Sequence, residues 1–187
     1  MRDQRALLRQ VLEGLSRWGI PYMICGSVAS SVLGEPRMTA NIDIVNDPTE
    51  EPLLDLVGEL EAAGLYADAD SARAALQARA MFNVIDPVSG FKVDFIIRKD
   101  RPFSIEEFRR RREAEVWGIR ALLTTAEDLI LSKLERSMKG ASERQFRDAL
   151  GVFVLSMQRL DREYLRIWAG ELGLEALLKR LWAEADP

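Results

Sequence analysis

Tyr22-Met-Ile-Cys-Gly-Ser-Val-Ala-Ser-Ser-Val-Leu-Gly-Glu-Pro-Arg-Met-Thr-Ala-Asn-Ile-Asp-Ile-Val45 is the stretch whose reading decides the fold. After Pro21, the apolar run Tyr22 to Cys25 reads as a buried strand that breaks at Gly26 and Ser27. Val28 to Leu33 then winds into a short helix, which Gly34 ends. A strand that turns directly into a helix leaves backbone N–H groups at the helix N-terminus, where a phosphate can be received. Asn41 to Val45 reads as a second strand, and alternation along it sends the Asn41 and Asp43 side chains to one face.

Upstream, Leu7, Leu8, Val11, Leu12, Leu15 and Trp18 recur at helical spacing from Arg2 to Trp18, with Gly19 as the stop. Downstream, Thr49 to Ala63 is expected as a helix capped by Thr49, and Ser71 to Arg79 as a shorter one. Met81 to Asp86 and Phe91 to Ile97 read as antiparallel strands around Pro87 to Gly90. Ser104 and Glu107 form a capping-box pattern for a brief arginine-rich helix, and Ala114 to Leu123 offers one or two strands around Gly118. From Thr125 onward the periodicity is helical throughout, in segments 126–138, 143–157, 162–169 and 174–183. The expected class is therefore α+β, a mixed α/β core with a short mixed or antiparallel sheet flanked by helices. The boundaries are 1–123 for the core and 124–187 for a C-terminal helical region packed on it.

Composition narrows the chemistry. The 187 residues carry a net charge of −4, are 30% charged and 48% apolar, and include no histidine and one cysteine. That profile fits a globular chain with no membrane span, and a cytoplasmic location is the expectation. Without histidine there is no Ser-His-Asp triad and no imidazole base, and zinc sites of the Cys/His kind are excluded. Any metal chemistry must use oxygen ligands, which favours magnesium or manganese.

The carboxylates are thus the residues to weigh. Asp43 and Asp94 sit on different strands that can run side by side, with Asn41 on the face of Asp43. Each has a plain alternative: Arg37 can neutralise Asp43, and Lys92 shares a strand face with Asp94, so a salt bridge there is as good a reading as an acid catalyst. Gly26-Ser27 taken alone marks only a turn. Arg109 to Arg112, with Arg98, Lys99 and Arg101, form a basic cluster. Interleaved Glu106, Glu107 and Glu113 make a solvated helix end the better reading than a nucleic-acid patch. Trp117, Trp168 and Trp182 read as packing residues, and Cys25 as a small buried one.

The ordered combination resembles the DNA polymerase β-type nucleotidyltransferase superfamily, particularly the bacterial AbiEii-like group associated with toxin–antitoxin systems. Gly26 and Ser27 match its glycine motif. Arg37, Thr39 and Asp43 match its Arg-x-Thr-x-Asp-x-Asp segment, and Phe91-Lys-Val-Asp-Phe-Ile-Ile97 is similar to the strand carrying its third carboxylate, here Asp94. Thr125 to Leu134 and Arg144 to Asp148 are similar to its helical motifs. The resemblance implies a nucleotidyltransferase-fold core in which Gly26, Ser27, Arg37, Thr39 and Asp148 bind nucleotide. Asn41, Asp43 and Asp94 would be metal ligands, Asp94 alternatively activating the acceptor, and Lys133 would contact phosphate or substrate. It implies Mg2+ or Mn2+ as cofactor, a nucleoside triphosphate as substrate, RNA or protein as acceptor, and a cognate antitoxin as partner.

Asn41 departs from the pattern, which has aspartate there. Removing one fixed charge from a transition-state clamp costs ~100 to 1,000-fold in rate. Three accounts are compatible with the asparagine: an enzyme of reduced or altered activity, a relative that binds nucleotide or protein without catalysis, or an inactivated form of an active parent. Asp47 lies past the strand and would have to fold back to compensate.

Overall fold

The computed structural model describes residues 3–35 and 38–185. Among them the chain runs α1 (Gln4–Arg17), β1 (Tyr22–Cys25), α2 (Gly26–Leu33), β2 (Asn41–Asn46), α3 (Glu50–Ala62), α4 (Ala69–Ala78), β3 (Met81–Ile85) and β4 (Lys92–Ile97). It continues through α5 (Pro102–Arg109), β5 (Arg112–Val116), β6 (Ile119–Leu123), α6 (Ala126–Gly140), α7 (Glu143–Ser156), α8 (Arg162–Leu172) and α9 (Glu175–Ala185). The strands form one mixed sheet in the order β3-β4-β2-β1-β6-β5. The β2–β4 and β1–β6 pairs are parallel, and the other three are antiparallel. The expected α+β class holds.

Two compact units divide the chain, Met1–Val28 with Met38–Leu123, and Ala29–Arg37 with Thr124–Pro187. In the first, strand alternation sends Ile42, Ile44, Val93, Phe95, Ile97, Phe82 and Val84 to a buried sheet face. Phe82 and Phe95, paired in register, stack with centroids 5.1 Å apart. The apolar stripes of α1 and α3 are equally buried. These helices approach so closely that a Cβ on Gly14 would lie 2.6 Å from Leu56 Cδ1. Polar ties flank that contact: Trp18 Nε1 donates to Glu59 at 2.8 Å, and Arg17 pairs with the same carboxylate at 2.6 Å.

In the second unit, α6 packs on α7 and α8, and α9 on α7 and α8. Phe146, Val152, Phe153, Leu165, Leu178 and Leu181 are buried there. None of the described helices is long and apolar enough to cross a membrane.

Two local expectations are corrected, and a third, Thr49 as the cap of α3, holds in position. Ser104 and Glu107 form no capping box, because α5 starts at Pro102, with Arg101 as its cap. Proline's fixed φ and missing N–H suit the first helical position, and Ser104 Oγ instead accepts a hydrogen bond from Arg101 Nε at 2.9 Å. Thr49 occupies the cap position of α3 without a side-chain hydrogen bond. The helix expected from Ser71 begins at Ala69, because the Asp68 carboxylate accepts from Ser71 N at 2.8 Å.

Candidate active site

The site is built on the sheet face opposite the core. Asp43 of β2 is the register partner of Asp94 on β4 and of Cys25 on β1, while Asn41 faces Lys92. Asn83 on β3 extends the row beyond Asp94. Directly opposed residues project to the same side of a sheet, so Asn41, Asp43, Lys92 and Asp94 form one polar cluster. Farther along the same face Met23, Cys25 and Phe108 form an apolar cluster packed with Val45 and Ile96. Polar residues therefore occupy the end of this face next to the β1–α2 turn.

At that turn Gly26 has φ +63°, and a Cβ built on it would fall 2.0 Å from Asp43 Oδ2. Both backbone conformation and space exclude a side chain. The Asp43 carboxylate thereby reaches the first turn of α2, where Ser27 N makes a long hydrogen bond, 3.4 Å, to Oδ2. Asp94 is 7% exposed. The Lys92 ammonium meets its Oδ1 at 3.0 Å, as an ion pair without hydrogen-bond alignment, and this oxygen has no hydrogen-bond partner. Thr39 Oγ1 donates to Asn41 O at 3.1 Å and accepts from Asn41 N at 3.3 Å, while Gln4 Nε2 holds Thr39 O at 2.9 Å. These bonds brace the start of β2. Arg37 lies outside the described residues. Asp47 stands clear of the cluster, held by Arg79 at 3.2 Å and Arg98 at 2.9 Å.

Neither a family model nor a curated protein matches the sequence. Solved structures do. The solution structure of the antibiotic-resistance factor ANT(2'')-Ia aligns with TM-score 0.58 and 14% identity, covering 97% of this chain and 94% of that one. The crystal structure of ANT(2'')-Ia in complex with adenylyl-2''-tobramycin gives the same score and identity over 90% of this chain and 96% of that one. An antigenic nucleotidyltransferase-like protein from Paracoccidioides brasiliensis aligns with TM-score 0.54 and 14% identity over 94% and 90%. The chain has a nucleotidyltransferase fold.

Within a nucleotidyltransferase fold the question is whether these residues suit a divalent ion. Among the described residues no three acidic, cysteine or histidine side chains gather as a ready metal cage. Magnesium, however, commonly binds through one or two carboxylates together with substrate phosphates. Asp43 fits that role, because a phosphate approaching the α2 N-terminus meets its negative charge unless a cation lies between them. The Asn41 amide oxygen lies on the same strand face. This donor set could hold one divalent ion, whereas a second would meet the ammonium that already faces the Asp94 oxygen.

Lys133 and Asp148 come together in the helical unit. Lys133 Nζ lies 2.7 Å from Asp148 Oδ2, with side-chain exposures of 3% and 10%. Thus Asp148 meets α6 rather than making the within-helix ion pair with Arg144 that its spacing allows. The basic cluster behaves as a solvated helix end at Arg109, which grips Glu106 through two hydrogen bonds. The spacing of Lys92 and Asp94 is compatible with either an ion pair or an acid catalyst, and nothing local in the sequence signals the Asp47 clamp.

Proposed function

We propose that the polar sheet face beside Gly26 transfers a nucleoside monophosphate from a nucleoside triphosphate to an acceptor hydroxyl on RNA or protein. The observation that carries this reading is the in-register pair Asp43 and Asp94, set beside a glycine that brings a carboxylate to a helix N-terminus. Such transfer is mostly positioning and charge neutralisation. In this reading the Gly26 and Ser27 amides orient the phosphate chain, and Asp43 with the Asn41 amide oxygen holds magnesium or manganese. When bound, the ion supplies neutralisation of charge on the phosphate oxygens. Asp94 accepts the proton of the attacking hydroxyl, whose oxygen bonds to the α-phosphorus as pyrophosphate leaves. We assign the Lys133–Asp148 pair to holding α6 and α7 together. The AbiEii-like grouping and a cognate antitoxin rest on the motif resemblance, and a cytoplasmic location on the composition.

A second reading, a binding module without catalysis, is favoured by the amide at Asn41 and the ammonium on Asp94. Incubation with α-labelled nucleoside triphosphates, Mg2+ or Mn2+, and cell RNA or lysate tests both. The transfer reading expects label in the acceptor fraction, increased ~100-fold by Asn41→Asp through restored charge. Absence of transfer by both proteins, with nucleotide still bound, would leave the binding module.

A further inference from the structure

The register that brings Asn41 opposite Lys92 and Asp43 opposite Asp94 places three charges and one neutral amide in a two-by-two array. Two carboxylates against one ammonium leave a single negative charge. A two-metal clamp spreads two divalent ions over attacking and leaving oxygens and needs anionic ligands for both. Here one carboxylate position is an amide, and the Oδ1 of the nearly buried Asp94 faces the Lys92 ammonium at 3.0 Å. Divalent binding at Asp94 would therefore have to displace that ammonium or accept it as a like-charged neighbour.

We propose that Lys92 is a built-in counter-cation replacing the second divalent ion of a two-metal clamp, so that this array accepts a triphosphate with one metal ion. This rests on the nucleotidyl-transfer reading of the same site. Lysine suits the role, because its ammonium is a compact point charge on a flexible stem. It can stay with Asp94 or turn a donor toward a phosphate oxygen, as lysines do in other phosphate sites. Substitutions at Asn41 and Lys92 should then act together, since restoring one anion leaves the ammonium in place, while removing the ammonium leaves one anion short.

The test is a Mn2+ titration of the full chain, followed by the electron paramagnetic resonance of the free ion. It uses wild type, Lys92→Met, Lys92→Arg, and Asn41→Asp combined with Lys92→Met, each checked for folding by circular dichroism. Without nucleotide, Lys92→Met is expected to bind Mn2+ roughly tenfold more tightly than wild type, whereas Lys92→Arg keeps the wild-type affinity. With a non-hydrolysable triphosphate, wild type should hold one Mn2+ per nucleotide and the double variant two. Two ions in wild type would overturn the proposal, as would folded Lys92→Met with Mn2+ affinity within twofold of wild type. Failure of every variant to bind nucleotide would instead sink the transfer reading, and the nucleotide-free titration would still decide the role of Lys92.

Discussion

At Gly26 two requirements coincide, a left-handed φ and a neighbouring carboxylate oxygen that would overlap any added carbon. Gly26→Ala is expected to lose about 1–3 kcal/mol in urea denaturation through backbone strain. Displacing Asp43 should also weaken nucleotide binding roughly tenfold, read by fluorescence titration; unchanged binding and stability would show that this contact matters little. Much of this geometry was readable beforehand. Alternation placed Asn41 and Asp43 on one face, and a glycine between strand and helix announced a constrained turn. The partners of charged side chains were less readable. Spacing leaves Lys92 and Asp94 open and offers Asp148 a neighbour in Arg144 on its own helix, whereas Lys133 reaches it from another helix. Such pairings depend on how helices cross, which local periodicity does not encode.

Among the elements, α6 concentrates the polar interactions of the helical unit. Thr125 Oγ1 accepts from Asp128 N at 3.3 Å and donates to Asp128 Oδ2 at 2.6 Å, and Tyr164 OH donates to Asp128 Oδ1 at 2.5 Å. Thr125→Ala should cost about 1 kcal/mol as a lost cap, measured by denaturant unfolding. Lys133→Met should cost more, on the order of 3 kcal/mol, because it removes the ammonium that faces the nearly buried Asp148 carboxylate. Adding Asp148→Leu should restore part of that loss; no recovery would mean that Asp148 has other partners strong enough to hold it. Helix positions were legible from the apolar repeat. Their starts were less so: Pro102 moved one start and Asp68 another, since two cap signals close together compete and only the folded backbone selects between them.

For the whole molecule, the notable feature is that segment Ala29–Arg37 belongs to the same compact unit as Thr124–Pro187. The change from mixed to all-helical periodicity at Thr125 is visible in sequence. The membership of 29–37 is not, because it depends on close approach: a Cβ on Gly34 would lie 3.0 Å from Val152 Cγ2. A fragment of residues 124–187 should therefore melt with less cooperativity than the full chain by circular dichroism, and an equally sharp transition would refute this. The pH response is also expected to be distinctive. The Ser71 hydroxyl and amide hold the Asp68 carboxyl below its usual range, as Arg109 does for Glu106 and Arg180 for Glu143. Depressed carboxyls favour the folded state above their unfolded values, and that contribution fades as pH falls through the folded ones. With no histidine in the chain, the melting temperature should stay flat from about pH 6 to 8 and decline below about pH 4.

Cys25 closes the row that Asp43 and Asp94 begin, and it is the chain's one sulfhydryl, 6% exposed. Nature has thus left a single chemical handle at the rear of the acidic array. The speed at which a small alkylating reagent reaches it becomes a clock for transient unlatching of that strand face, readable by mass spectrometry in the unmodified protein and slowed by whatever ligand locks the strands shut.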